Sequence, residues 1–183
     1  MAGSLLYRRG NFNGSWDDVI CDAIRAERDV EIALSPGFRW GTTLLAGQDI
    51  TIDDMYSQTS MNYPAVYKQI ISGKQLKMIL EDVCDNLFNP DPFFQQGGDM
   101  VRVSGINFEC APKKEMGKRI SNLILSKTKK PIEANKTYTI GGWASVNPDT
   151  EGPAIYDLLE NYIQRKNLII PFSAGAVTVK GMS

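Results

Sequence analysis

The sequence predicts an α+β fold, that is, a mixed α/β arrangement of mixed sheets with helices packed outside. Three observations carry this. Stretches with helical and with strand periodicity are both present, and they do not alternate strictly. With 183 residues, 43% hydrophobic and 22% charged, the chain can bury one substantial core. No internal repeat or low-complexity tract interrupts it.

Residues 1–13 are polar and irregular, with Arg8, Arg9, Asn11 and Asn13, and read as a linker remnant ahead of a domain over 14–183. Ser15 suits a helix N-cap, and Asp17 and Asp18 suit the positive first turn behind it. Trp16, Val19, Ile20, Ala23 and Ile24 then fall on one helical face, which predicts a helix to about Arg28. Val30 to Leu34 is a short apolar strand, and Pro36-Gly37 forces a turn after it. Ile50-Thr51-Ile52 reads as extended, Asp53 to Tyr56 as one helical turn, and Thr59 to Tyr63 as a polar loop. Ala65 to Ile71 reads as a strand centred on Val66. Ser72-Gly73-Lys74-Gln75 is a capping box, and Leu76, Ile79, Leu80, Val83 and Leu87 extend its helix over 73–88. Asn89-Pro90-Asp91-Pro92 ends that helix. Strands are predicted at 106–110, 120–125 and 136–140. A last helix follows Pro153, with Ile155, Leu158, Leu159, Tyr162 and Ile163 inward, and Val177 to Val179 closes as an edge strand.

Composition excludes several functions. A net charge of −1 leaves no global field to recruit nucleic acid or anionic lipid. The local basic runs, Lys113-Lys114-Lys118-Arg119 and Lys127-Lys129-Lys130, read as solvated loops. No apolar run approaches the roughly 20 residues of a membrane helix. No signal-peptide pattern is visible, and the start reads as a processed boundary. The three cysteines, Cys21, Cys84 and Cys110, are too widely spaced for a zinc motif or a disulfide framework and read as free thiols or core residues. There is no histidine, which removes histidine metal ligation and histidine-assisted nucleophiles from this chain. Asp53-Asp54 and Glu81-Asp82 read as helix-start and solvent-facing acids rather than a catalytic pair.

Three loops stand out: 35–41, 93–105 and 141–152. Each combines glycine with an arginine or a large aromatic. Arg39 and Arg102 offer planar forks of donors suited to sulfate, phosphate or carboxylate. The loops either converge on one anion-plus-aromatic pocket, or their glycines mark turns and bulges and Trp143 belongs to the core. Gly97-Gly98 alone is too weak a signal for a phosphate loop.

The run of Ile32-Ala33-Leu34, Ser35-Pro36-Gly37-Phe38-Arg39, Gly47-Gln48-Asp49-Ile50-Thr51, Asp54-Met55-Tyr56, Ser72 to Leu76 and Val103-Ser104-Gly105 resembles the C-terminal domain of the 5′-nucleotidase family. Ser35 to Gly41, Thr59 to Pro64 and Gly97-Gly98-Asp99-Met100-Val101-Arg102-Val103 are most similar to its SoxB-type thiosulfohydrolases. The resemblance implies a periplasmic hydrolase of sulfur oxidation. It would release sulfate from a cysteine-S-thiosulfonate on a SoxY-like carrier protein. Two metal ions, typically manganese, would sit in an N-terminal metallophosphatase domain absent from this chain, so that no cofactor is expected here and the chain alone would be inactive. Arg39 matches the arginine of the family's glycine-rich motif. Arg102 follows the Gly-Gly-Asp block, and Gly37, Phe38, Trp40, Asn62, Tyr63, Asp99 and Trp143 complete the expected substrate-binding set. Two alternatives stay open: the same domain from a true 5′-nucleotidase or phosphoesterase, or a stand-alone binding module. Against nucleotide binding, Ser60-Met61-Asn62-Tyr63-Pro64 lacks the Phe-Gly-Asn pattern of the nucleotidases, and Gly141-Gly142-Trp143 lacks their glycine-rich aromatic stretch.

Overall fold

A computed structural model describes residues 1–171 and 175–181. Its elements are α1 (Ser15–Arg28), β1 (Ile32–Ser35), α2 (Ile52–Gln58), β2 (Tyr67–Ser72), α3 (Gly73–Phe88), β3 (Arg102–Ser104), β4 (Ile106–Cys110), β5 (Ile120–Leu125), β6 (Thr137–Gly142), α4 (Ile155–Gln164) and β7 (Val177–Val179), with a 3₁₀ turn at Pro92–Phe94. A four-stranded sheet runs β2-β6-β1-β3, and a three-stranded sheet runs β5-β4-β7. β1 lies parallel to β6 and antiparallel to β3, while β4 lies antiparallel to β5 and parallel to β7. The expected α+β class with mixed sheets holds.

β1 is buried along its whole length, and the period-two alternation of a strand divides it between two cores. Ala33 faces a core built by α1 and α4, with Trp16, Ile20, Ile24, Leu158, Leu159 and Trp143. Ile32 and Leu34 face a second core, with Leu76, Leu80 and Cys84 of α3 and Ile106, Phe108 and Cys110 of β4. The four-stranded sheet is thus the middle layer, and the loop leaving β1 is held by both cores.

Several local readings change. Gly14, not Ser15, is the N-cap of α1, and the Ser15 hydroxyl instead accepts from Tyr7 N and donates to the Leu5 carbonyl. Thr51 is not strand but the cap of α2, whose capping box with Asp54 carries two full turns. Val66 is fully buried but precedes β2. Gly141 and Gly142 belong to β6 rather than to a loop. A Cβ there would meet Ile24 at 2.8 Å or the Tyr67 hydroxyl at 2.3 Å, so small residues let α1 and β2 close on the strand. Gly105 requires its positive φ of 89°, and a Cβ there would strike the Glu31 carbonyl at 2.1 Å. Residues 1–13 are not a loose linker: Ala2, Leu6, Arg8 and Phe12 are buried, and Leu6 bridges Leu44.

Two charged residues read as solvent-facing are buried. Glu81 turns inward from α3, and its carboxylate accepts the backbone N–H groups of Gly117 and Ile120 at 2.8 Å each and of Arg119 at 3.3 Å. Arg119 is itself buried, bound to Asp85 and to the Lys114 carbonyl. Glu81 therefore fastens the 111–119 loop to α3. Replacing Glu81 by alanine strands three backbone donors, and unfolding in urea is expected to show a loss of about 2–4 kcal/mol.

Candidate functional site: an arginine held at the surface by a buried ion ladder

The loop 36–40 leaves the C-terminal end of β1 and is pressed against the segment 99–102. Gly37 makes this approach possible, since a Cβ there would meet the Met100 carbonyl at 2.6 Å and Asp99 Cβ at 2.7 Å. Phe38 stacks on Trp40 with ring centroids 3.9 Å apart and planes 16° apart. Phe38 also packs against the first core, meets Trp143 edge-to-face, and lies under the guanidinium of Arg8, 5.3 Å from its ring centre. Trp40 remains 40% exposed. Trp143 lies beneath this pair, buried, and donates its indole N–H to Ser35 Oγ at 2.8 Å.

Arg39 sits between the stacked rings in sequence and points to solvent. Its Nε donates to both Asp99 oxygens at 2.8 and 3.0 Å, and its Nη2 donates to Asp99 Oδ1 at 2.6 Å and to Asn11 Oδ1 at 2.5 Å. One edge of the guanidinium is thereby fixed, while the side chain stays 57% exposed and Nη1 makes no hydrogen bond among the described residues. The Asp99 hydrogen bonds raise the pKa of Arg39, so it stays charged at any working pH.

Behind Arg39 the charges alternate inward. Asp99, only 3% exposed at its side chain, also faces Arg102 Nη2 at 3.9 Å. Arg102 is buried, donates to the Gly10 carbonyl at 2.7 Å, and faces Asp17 Oδ2 at 3.3 Å. Asp17 is fully buried on the first turn of α1 and is paired on its other side with Arg8 at 2.8 Å. Arg8 donates onward to the Gln58 and Pro36 carbonyls. The ladder Arg8–Asp17–Arg102–Asp99–Arg39 joins the N-terminal segment, α1, the β1 loop and the β3 approach. Burial pushes the Asp17 carboxyl up, opposed by Arg8 and Arg102, and burial pulls the Arg8 guanidinium down, opposed by Asp17. Arg39, the outermost cation of the ladder, is the one exposed to solvent.

The other expected residues are placed as follows. Asn62 and Tyr63 stand exposed on the loop after α2, whose base is tied to the ladder through Arg8 and Gln58. Of the loop 93–105, Asp99 bonds Arg39. Gln96 and Gly97 donate to the Asn86 carbonyl at the end of α3 instead. Two cavities, of about 970 and 780 Å³, lie elsewhere, at the N-terminal end of β1 and at the C-terminal end of α3, and hold none of these residues. Sequence reasoning missed Arg8, Asn11 and Asp17 as members of the cluster. Acids in a first helical turn read as dipole partners, and nothing in the spacing links them to Arg102 far along the chain.

No group of three or more His, Cys, Asp or Glu among the described residues could hold a metal ion. Asp17 is already neutralised by two arginines, and the chain has no histidine. Among the described residues, the donors at this site do not fit a metal centre.

A family model of the 5′-nucleotidase C-terminal domain matches residues 9–166. The chain belongs to that family. Among solved structures, the Thermus thermophilus sulfate thiohydrolase SoxB, in complex with glycerol, superposes with a TM-score of 0.89 at 33% identity, covering 100% of this chain and 35% of that one. A 5′-nucleotidase precursor from Thermus thermophilus matches at TM-score 0.75 and 15% identity, over 97% of this chain and 38% of its own. Haemophilus influenzae NAD nucleotidase matches at 0.74 and 19%, over 100% and 37%. The last two share the fold. The chain thus spans just over a third of the length of these structures. No curated protein sequence matches it. Among the described residues no helix is long and apolar enough to cross a membrane.

The acidic first turn of α1 carries a pH dependence. Burial, then the neighbouring Asp22 and Asp17, push the Asp18 carboxyl up to about 7, against Arg102. A raised carboxyl pKa means that the native state holds a proton the unfolded chain releases, so the contribution of Asp18 to stability falls as pH rises from about 4 to 7 and levels off above. Asp18→Asn should match the parent at pH 4 and exceed it by about 2–4 kcal/mol at pH 8, read from urea unfolding at both pH values.

Proposed function

We propose that this chain is the substrate-recognition domain of a SoxB-like thiosulfohydrolase. The observation that carries the reading is Arg39: a charged fork fixed along one edge by Asp99 and Asn11, open along the other, beside the half-exposed Trp40. Such a donor suits an oxyanion of sulfate shape. The 33% identity over the whole chain to a sulfate thiohydrolase supports the sulfur branch of the family over the nucleotidase branch. So does the position of Trp143, whose ring lies under Phe38 with its indole N–H on Ser35, away from any role in clasping a nucleobase.

In this reading the substrate is a cysteine-S-thiosulfonate on a SoxY-like carrier, and water converts it to a persulfide and sulfate. Arg39 binds the sulfonate oxygens and stabilises the charge that gathers on them as sulfate departs. Asp99 and Arg102 are positioning residues for Arg39, and Phe38 and Trp40 form the apolar wall beside it. Asn62 and Tyr63 border the carrier's approach. The nucleophile would come from two metal ions, manganese in this reading, in an N-terminal metallophosphatase domain that is the chain's partner. The periplasm is the compartment proposed, and the chain alone is inactive.

The test is made in the two-domain enzyme. Arg39→Ala should lower kcat/KM for the carrier-bound thiosulfonate by about tenfold or more, the loss of one charged hydrogen-bond donor. The isolated chain should release no sulfate. Near-parental turnover by the variant would remove Arg39 from the site.

A further inference from the structure

The second core contains two thiols in contact. Cys84, on the inner face of α3, and Cys110, at the end of β4, are both fully buried with their sulfurs 3.4 Å apart. Cys21, the third cysteine, belongs to the other core, which Ala33 of β1 faces while Ile32 and Leu34 face the core of the pair. An odd cysteine count therefore resolves into a pair and a single.

We propose that Cys84 and Cys110 form a disulfide when the chain folds in an oxidising environment, cross-linking α3 to β4 and leaving Cys21 as a thiol. The sulfurs need to approach by little more than an ångström to reach bonding distance. The fold offers neither cysteine another partner. Burial seals the pair in the finished structure, so the bond is made during folding, while the thiols can still be reached. The oxidant is a small disulfide or the disulfide of an oxidoreductase. One cysteine thiolate attacks a sulfur of the oxidant and expels a thiolate, giving a mixed disulfide. The second cysteine thiolate then attacks the first cysteine's sulfur and expels the oxidant's other thiolate. The two protons lost by the cysteines end on the oxidant's two thiols, and two electrons pass with them. The cross-link would close the loop that carries the 89–102 segment, including Asp99, between α3 and β4.

The test refolds the full chain from denaturant with oxidised and reduced glutathione, alkylates it under denaturing conditions, and maps its peptides by mass spectrometry. The expected result is one alkylated cysteine, Cys21, and a linked peptide pair carrying Cys84 and Cys110. The oxidised protein should melt roughly 5–10 °C above the same sample treated with reductant. Cys21→Ala should keep this difference, and the double variant Cys84→Ala/Cys110→Ala should abolish it. Three alkylated cysteines, a link that engages Cys21, or a melting point in the double variant that still responds to reductant would overturn the proposal.

Discussion

The carboxylate of Asp17 is the constraint on which the candidate site rests. It sits in the first turn of α1, out of water, and would be intolerable there unpaired. Arg8 and Arg102 neutralise it from opposite sides. To do so, the N-terminal segment must fold back over α1, and β3 must run beside β1. Those two requirements place Asn11 and Asp99 at the one spot from which both can hold Arg39. A surface arginine on a loop is ordinarily mobile. This one is the end of a chain of ion pairs anchored in the core, so its orientation is set before any ligand arrives.

The layers serve the same end. β1 is short, but its two faces enter different cores, so its C-terminal end cannot shift without disturbing both. The loop 36–40 inherits that rigidity, and Gly37 lets it lie directly on the 99–102 segment. Trp143 meets Phe38 edge-on and Phe38 stacks on Trp40, so the three rings lead from a buried indole to a half-exposed one. The result is a rim with one cationic donor and one aromatic wall, complete within this chain. Among the described residues no group of acids or thiols could hold a metal ion, and the two acids of the cluster, Asp17 and Asp99, are paired with arginines.

Long helices were legible because their signals are local. The capping box of Ser72 and Gln75 fixed the start of α3, and the apolar spacing of α1 and α4 fixed their inward faces. Signals that depend on distant partners were not legible. Gly141 and Gly142 look like a turn until α1 and Tyr67 are seen closing on them. Glu81 looks like a surface acid until the loop at 117–120 delivers its N–H groups. Arg39 and Asp99 could be picked from sequence motifs, whereas Asp17 and Arg8, which support them from inside, carry no motif at all. Arg102, picked as a second anion contact, lies within the ladder, where its partners are Asp17, Asp99 and a backbone carbonyl.

The most direct measurement is a nuclear magnetic resonance titration of the isolated chain, following the Nε–H of Arg39 and the indole N–H of Trp40. S-sulfocysteine serves as the small sulfonate and adenosine monophosphate as the nucleotide. A preformed sulfonate site predicts saturable shifts of both signals with S-sulfocysteine, lost in Arg39→Ala, and none of comparable size with the nucleotide. Shifts with the nucleotide alone would contradict the sulfonate reading and place the chain with the nucleotidases.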